Sequence, residues 1–191
     1  LAKSGCAILR VGVEAGDPFI RNEIYKKKVS DEKIREMFKL AKSYGICFTA
    51  YYILGGPCET PKTLQKTIDL AYELDGERSA FFIYKPFTKE GIKQIMEYGG
   101  WVDEEKWAKA DNITFDAVVH TKELTPDQVE RYQKKAYFWT FGRRLLRMIM
   151  RQKSLYFTRL FIYMFKGLRD GLSFSYLITY YHIYGYDNVD K

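Results

Sequence analysis

Three cysteines, Cys6, Cys47 and Cys58, and two histidines, His120 and His182, are the side chains best suited to nucleophilic or metal chemistry in this chain. Their spacing supports neither. A thiol nucleophile needs a placed base, and both histidines stand far along the chain from every cysteine. A metal centre needs locally clustered ligands, which these cysteines do not form. An odd number of cysteines without framework spacing predicts free thiols and a reducing compartment. Carboxylates and glycines are better placed. Glu14 follows the apolar run Ala7 to Val13 and precedes Gly16. A carboxylate there can accept hydrogen bonds from two neighbouring ligand hydroxyls, or cap the adjoining loop. Gly55-Gly56-Pro57 allows unusual backbone angles and close approach of a flat ligand to exposed peptide groups, or it forms a tight turn. Glu59 stands just before Thr60 and Pro61, where it meets a helix N-terminus or anchors the glycine turn from behind.

The elements that carry these residues alternate. The run Ala7 to Val13 reads as a buried strand ending in the polar turn Glu14 to Pro18. Ser30 is a fitting cap for a helix with Ile34, Met37, Phe38 and Ala41 on one face, and Gly45 a fitting stop. Ile46 to Leu54 is a second strand. Thr60 with Pro61 starts a second helix, whose buried stripe is Leu64, Thr67, Ile68, Ala71 and Leu74. Ala80 to Tyr84 is a third strand, closed by Lys85 and Pro86. Strands alternating with amphipathic helices predict parallel βα units, whose functional groups gather beyond the strand C-termini. Three such strands leave open edges and no opposite wall. Together with a first residue, Leu1, that is not Met, this leads us to expect a fragment whose missing strands precede Leu1.

Beyond Gly99 the character changes. We expect a short helix over Trp101 to Ala110, a short extended segment over Ile113 to Val119, and a helix capped at Thr125. That helix has an apolar side of Val129, Tyr132, Ala136 and Trp139, with an interruption at Gly142. Residues 131–169 hold eleven of the 31 Lys and Arg of the chain and no Asp or Glu. Aromatic and aliphatic residues interleave with them, which fits an amphipathic helix pair covering another domain or lying on an anionic membrane face. The composition, 47% hydrophobic, excludes global disorder. A net charge of +7 without a stacking-platform pattern does not call for a nucleic acid. No run of about 18 uncharged apolar residues predicts a membrane span. Tyr180 to Tyr186 is tyrosine-rich without chemistry-bearing spacing.

The strand-end motifs form a recognisable series. Gly5-Cys6 with Val11-Gly12-Val13-Glu14-Ala15-Gly16-Asp17, then Ile53-Leu54-Gly55-Gly56-Pro57-Cys58-Glu59-Thr60, then Phe82-Ile83-Tyr84-Lys85-Pro86 resembles the second half of the radical S-adenosylmethionine core. The similarity is greatest to the group with an upstream cobalamin-binding domain, typified by the anaerobic magnesium-protoporphyrin cyclase and cobalamin-dependent methylases. It implies an α/β fold, a partial parallel (βα) barrel with about three βα units over residues 1–98. A helical, basic and aromatic C-terminal extension follows over 99–191.

The resemblance further implies cofactor-binding roles. Glu14 matches the residue that contacts ribose hydroxyls. Ile53, Gly55, Gly56 and the turn to Glu59 match the segment that shapes the adenine pocket, and Tyr84 matches a position whose backbone approaches adenine. The implied cofactors are S-adenosylmethionine, a [4Fe-4S] cluster and, in this group, cobalamin. The family's Cys-x3-Cys-x2-Cys cluster motif and its glycine-rich methionine-binding segment are absent here, so no catalytic or metal residue is assigned and the isolated chain is expected to be inactive. The implied partners are the missing N-terminal half of the barrel, a cobalamin-binding domain, a flavodoxin or ferredoxin reductant and a small-molecule substrate of unknown identity, in the cytoplasm. Peripheral membrane contact is left open. Two positions depart from the family pattern: Cys58 stands where glycine is usual, and Pro86-Phe87-Thr88-Lys89 lacks the usual proline-glycine-threonine turn. The competing expectation is a non-catalytic nucleoside-binding or scaffold module.

Overall fold

The computed structural model describes residues 1–110 and 115–150, with the side chains of 148–150 left aside. The start of the Ile113 segment, the basic and aromatic run beyond 150, Tyr180 to Tyr186 and His182 lie outside the described residues.

The chain is a mixed α/β structure built on a parallel three-stranded sheet in the order β1 (Ile8–Glu14), β2 (Cys47–Leu54), β3 (Arg78–Ile83). Crossover helices α1 (Asp31–Ser43) and α2 (Pro61–Leu74) join them. Both helix starts follow from the sequence. Ser30 accepts from the Lys33 N–H, and Thr60 forms a reciprocal capping box with Thr63 ahead of Pro61. The expected stripes of both helices are buried, with Met37 half-buried against them, and Leu70 joins the α2 stripe. Each such aliphatic side chain contributes roughly 1.5–3 kcal/mol by leaving water. One sheet face supplies Phe48, Ala50, Tyr52, Leu54, Phe81 and Ile83 to the same core.

Four expectations are corrected. β1 is not a buried strand: Ile8 is 48% exposed and only Val13 is buried, because β1 lies at the sheet edge among the described residues. The other edge is not open. Helix α5 (Pro126–Met150) lies along β3. Phe81 N–H donates to the Tyr137 hydroxyl at 3.0 Å, and Gln133 Nε2 donates to the Phe81 carbonyl at 2.6 Å. Side chains thus complete the pairing a further strand would supply. Gly142 does not interrupt α5; its cost of about 1 kcal/mol is outweighed by the buried Tyr137 and Phe141 that flank it. Finally, the helix expected from Trp101 begins later. Trp101–Val102 (β4) pairs antiparallel with Val119–His120 (β5), and α4 is Glu104–Lys109, capped by Asp103. The short α3 (Lys89–Glu97), between β3 and β4, was not expected and buries only Ile95.

Residues Ala117, Leu124, Val129, Ala136, Tyr137 and Phe141 share the core cluster of the βα units. Among the described residues no helix is long and apolar enough to cross a membrane.

Candidate functional site

β1 ends in an irregular step. Register with β2 shifts between Gly12 and Glu14, and Glu14 takes a left-handed φ of 69°. The kink turns its carboxylate back over Gly12, where an added Cβ would lie 2.1 Å from Glu14 Oε1. Lys27 Nζ donates to that same oxygen at 3.1 Å. Glu14 therefore caps no loop backbone; it is half of a partly exposed ion pair.

The chain after β1 then folds over the sheet end. Gly16 crosses α2 so closely that a Cβ would lie 2.2 Å from the Lys66 carbonyl oxygen, and its N–H donates to Thr67 Oγ1. Asp17 accepts from the Phe19 and Ile20 N–H groups and from Lys66 Nζ at 2.7 Å. Burial alone would raise the Asp17 pKa, but the Lys66 hydrogen bond and those N–H groups hold it below the ordinary value. A one-turn π-helix, Ile20–Ile24, follows. Its Arg21 is fully buried and donates to the Ala15 and Val29 carbonyls and to Asp31. This arginine ties the end of β1 to the start of α1.

The loop delivers Tyr25 against the glycine turn. Its hydroxyl would lie 2.1 Å from a Cβ at Gly56, and its ring stacks on Tyr84 with centroids 6.2 Å apart. Tyr84 is held by its N–H, which donates to the Leu54 carbonyl at 2.8 Å. Gly55 has φ 81°, with Val129 of α5 filling the space a side chain would need. Behind the turn, the buried Glu59 accepts from the Gly55 and Gly56 N–H groups at 2.5 and 3.0 Å. Of its two expected roles, the anchor from behind is the one adopted. Burial pushes its carboxyl up to about 8 against the pull of those two N–H groups, with Asp17 adding to the rise. Cys58 has φ 54°, the conformation that explains why glycine suits this position, and burial pushes its thiol up to about 11.

The expected residues Glu14, Gly55, Gly56, Glu59 and Tyr84 thus gather at one end of the sheet, with Ile53 on β2 half-buried below them. Two buried polar atoms in this cluster, the Tyr25 hydroxyl and Glu59 Oε1, have no hydrogen-bond partner among the described residues. Burial raises the Tyr25 pKa well above its ordinary value, and the Glu59 charge raises it further. The sequence reading missed Tyr25, Lys27 and Arg21. The pair Ile20 and Ile24, one helical turn apart, was the available signal that this loop is packed.

Cys6, Cys47 and Cys58 are not joined in disulfides, and among the described residues no three His, Cys, Asp or Glu side chains are grouped as a metal site would require. His120 instead stacks on Trp101, with centroids 3.8 Å apart, and its Nε2 lies 3.6 Å from Asp103.

In parallel α/β sheets, ligands commonly bind beyond the carboxyl ends of the strands, where these polar groups gather. No protein-family model matches the chain. It is 26% identical over 137 residues to an uncharacterised methyltransferase of Pyrococcus horikoshii, covering 72% of this chain and 29% of that protein. It is likewise 26% identical over 112 residues to the cytidylyl-2-hydroxyethylphosphonate methyltransferase of Streptomyces wedmorensis, covering 56% of this chain and 21% of that one. Among solved structures it is similar to the radical S-adenosylmethionine methyltransferase TsrM of Kitasatospora setae. The form with tryptophan substrate and an S-adenosylmethionine analogue aligns at TM-score 0.42 and 25% identity, over 49% of this chain and 19% of that chain. The form with cobalamin and a [4Fe-4S] cluster aligns at 0.45 and 20%, over 74% and 32%. The two curated relatives are methyltransferases, in agreement with the methylase group that the motifs resemble. The chain spans less than a third of the length of the curated relatives it matches.

Proposed function

We propose that this chain forms the carboxy-terminal part of the S-adenosylmethionine-binding barrel in a radical S-adenosylmethionine methyltransferase. Residues 1–98 contribute βα units of a partial barrel, and 99–191 an extension whose helix α5 packs along β3. The observation that carries this reading is the cluster at the strand ends, where the Glu14 carboxylate paired with Lys27, a glycine turn and two buried polar atoms unpartnered among the described residues stand together. These groups suit a nucleoside. Glu14 would hold the ribose hydroxyls. The turn at Gly55 and Gly56 and the backbone at Tyr84 would border adenine, with Ile53 as an apolar wall. The Tyr25 hydroxyl and Glu59 Oε1 offer hydrogen bonds that the described residues leave unused.

When bound, S-adenosylmethionine supplies an activated methyl group or, on reductive cleavage, a hydrogen-abstracting radical. This chain's own residues orient the nucleoside and exclude water: Glu59 fixes the turn, Lys27 holds the Glu14 carboxylate in place, and Arg21 holds the loop that carries Tyr25. A [4Fe-4S] cluster does not fit the described residues, which bring no ligand set together. Cluster and cobalamin would be held by other parts of the full-length protein, in a reducing cytoplasm and with a reductant protein. The unpaired outer edge of β1, beside an apolar groove lined by Leu1, Leu9, Met37, Leu40 and Tyr44, suits the docking of the preceding half of the barrel.

Equilibrium binding of S-adenosylmethionine to the full-length protein tests the proposal. Glu14→Ala is expected to weaken binding roughly tenfold or more, by loss of charge-assisted hydrogen bonds to the ribose. Unchanged affinity would remove Glu14 from the site.

A further inference from the structure

Helix α5 has two unlike sides. The inner side, with Val129, Gln133, Ala136, Tyr137, Thr140, Phe141 and Arg144, is buried against β3 and α2. The outer side exposes Phe138, Trp139 and Leu146 to 64%, 50% and 58%. Large apolar groups so exposed on a helix whose opposite face is fully packed need a reason. They are grouped: the Phe138 and Trp139 rings lie 6.4 Å apart, and Trp139 meets Tyr72 of α2 edge-on at 6.3 Å. A groove of about 330 Å³ runs between α2 and α5 beside Ile68, Tyr72 and Trp139. Its rim is basic. Arg131, Lys134 and Lys135 are exposed on the same side, whereas the Arg143 guanidinium, which covers the Tyr72 ring at 4.3 Å, is paired with Asp75 at 3.4 Å. Asp69, which accepts from Gln65, is the one acid among the residues lining the groove. From Arg131 through Arg169 the sequence contains no Asp or Glu.

We propose that this face of α5 docks the protein on an anionic lipid surface. Trp and Phe beside basic side chains, on a helix packed along one side, suit the boundary where acyl chains meet headgroups. Phe138, Trp139 and Leu146 enter that boundary, and Arg131, Lys134 and Lys135 meet the phosphates. The charge decides for lipid over a second copy of the chain, since two such faces would bring like charges together. The inference stands apart from the S-adenosylmethionine site, which lies at the strand ends.

Co-sedimentation of the full-length protein with phosphatidylcholine vesicles, with and without one third phosphatidylglycerol, tests it. Binding is expected only with the anionic lipid and should weaken as salt rises. Lys134→Gln with Lys135→Gln should lower affinity on the order of 25-fold, about fivefold for each charge near the surface. Phe138→Ser with Leu146→Ser should abolish binding at a nearly unchanged melting temperature, both side chains being mostly exposed. Failure to bind, equal binding to neutral vesicles, or variants that bind like the wild type would overturn the proposal. So would a dimer that these substitutions dissociate in the absence of lipid, which would assign the face to a second copy.

Discussion

Glu59→Ala is expected to cost roughly 2–5 kcal/mol of folding stability, whereas Glu59→Gln should cost little near neutral pH. The carboxylate is the acceptor for two N–H groups of the glycine turn. Without it both donors stay buried and unpaired, at roughly 1–3 kcal/mol each, against a total stability of about 5–15 kcal/mol for an ordinary domain. Glutamine keeps an acceptor oxygen in place. The pH dependence separates the two variants further. The folded pKa of Glu59 is about 8, above the ordinary 4.5, so between those values the native state keeps a proton that the unfolded chain has released. The stability from this group is complete below about pH 4.5 and is lost as pH rises through about 8. Asp17 runs the other way: its lowered pKa contributes stability present above its ordinary value and lost as pH falls through the folded one. Urea denaturation at acidic and alkaline pH should therefore show an alkaline loss in the wild type that Glu59→Gln removes. A Glu59→Ala protein melting within about 2 °C of the wild type would mean that the turn does not depend on this carboxylate.

Arg21→Ala should be of similar severity, on the order of 3–5 kcal/mol, the usual cost of breaking a buried charged pair. The guanidinium is fully buried and serves three acceptors, two carbonyls and Asp31, that no shorter side chain reaches together. Arg21→Lys should recover only part of the loss, because an ammonium is a point donor and cannot bridge the three acceptors from one plane. The local consequence is specific. Residues 17–30 carry Tyr25 and Lys27 over the strand ends, so the variant should also be cleaved in this loop at protease concentrations that spare the wild type. Wild-type melting and wild-type protection would show that Gly16, Asp17 and Lys66 hold the loop without the arginine.

The sequence revealed what local periodicity controls. Ser30 and Thr60 announce helix starts, and the apolar spacing behind them matches the buried faces. Glycines at 55 and 56, and the carboxylates at 14 and 59, marked strand ends by type and position. The remainder depended on contacts distant in sequence. Nothing around Arg21 signals that its partners are a strand end at Ala15 and a helix start at Asp31. Tyr25 reads as a solvated loop tyrosine until the chain folds back onto Gly56. The apolar side expected for α5, Val129, Tyr132, Ala136 and Trp139, leaves out Tyr137 and Gln133, which are buried and bond a strand residue more than 50 positions earlier, while Trp139 is half exposed. Two local errors had local causes. Trp101 was assigned to a helix because Asp103 was not recognised as its cap. Lys89–Glu97 was missed although Thr88 caps it and Ile92, Ile95 and Met96 recur at i, i+3 and i+4; it follows the Lys85-Pro86 stop so closely that the segment reads as loop.

Photolabelling of the full-length protein with S-adenosylmethionine bearing an azido group on adenine, followed by peptide mapping, tests the central claim most directly. The proposed site predicts label on the segment from Ile53 to Glu59 or at Tyr84, removed by competing S-adenosylmethionine. Label found only outside residues 1–98, or undiminished by the competitor, would contradict it.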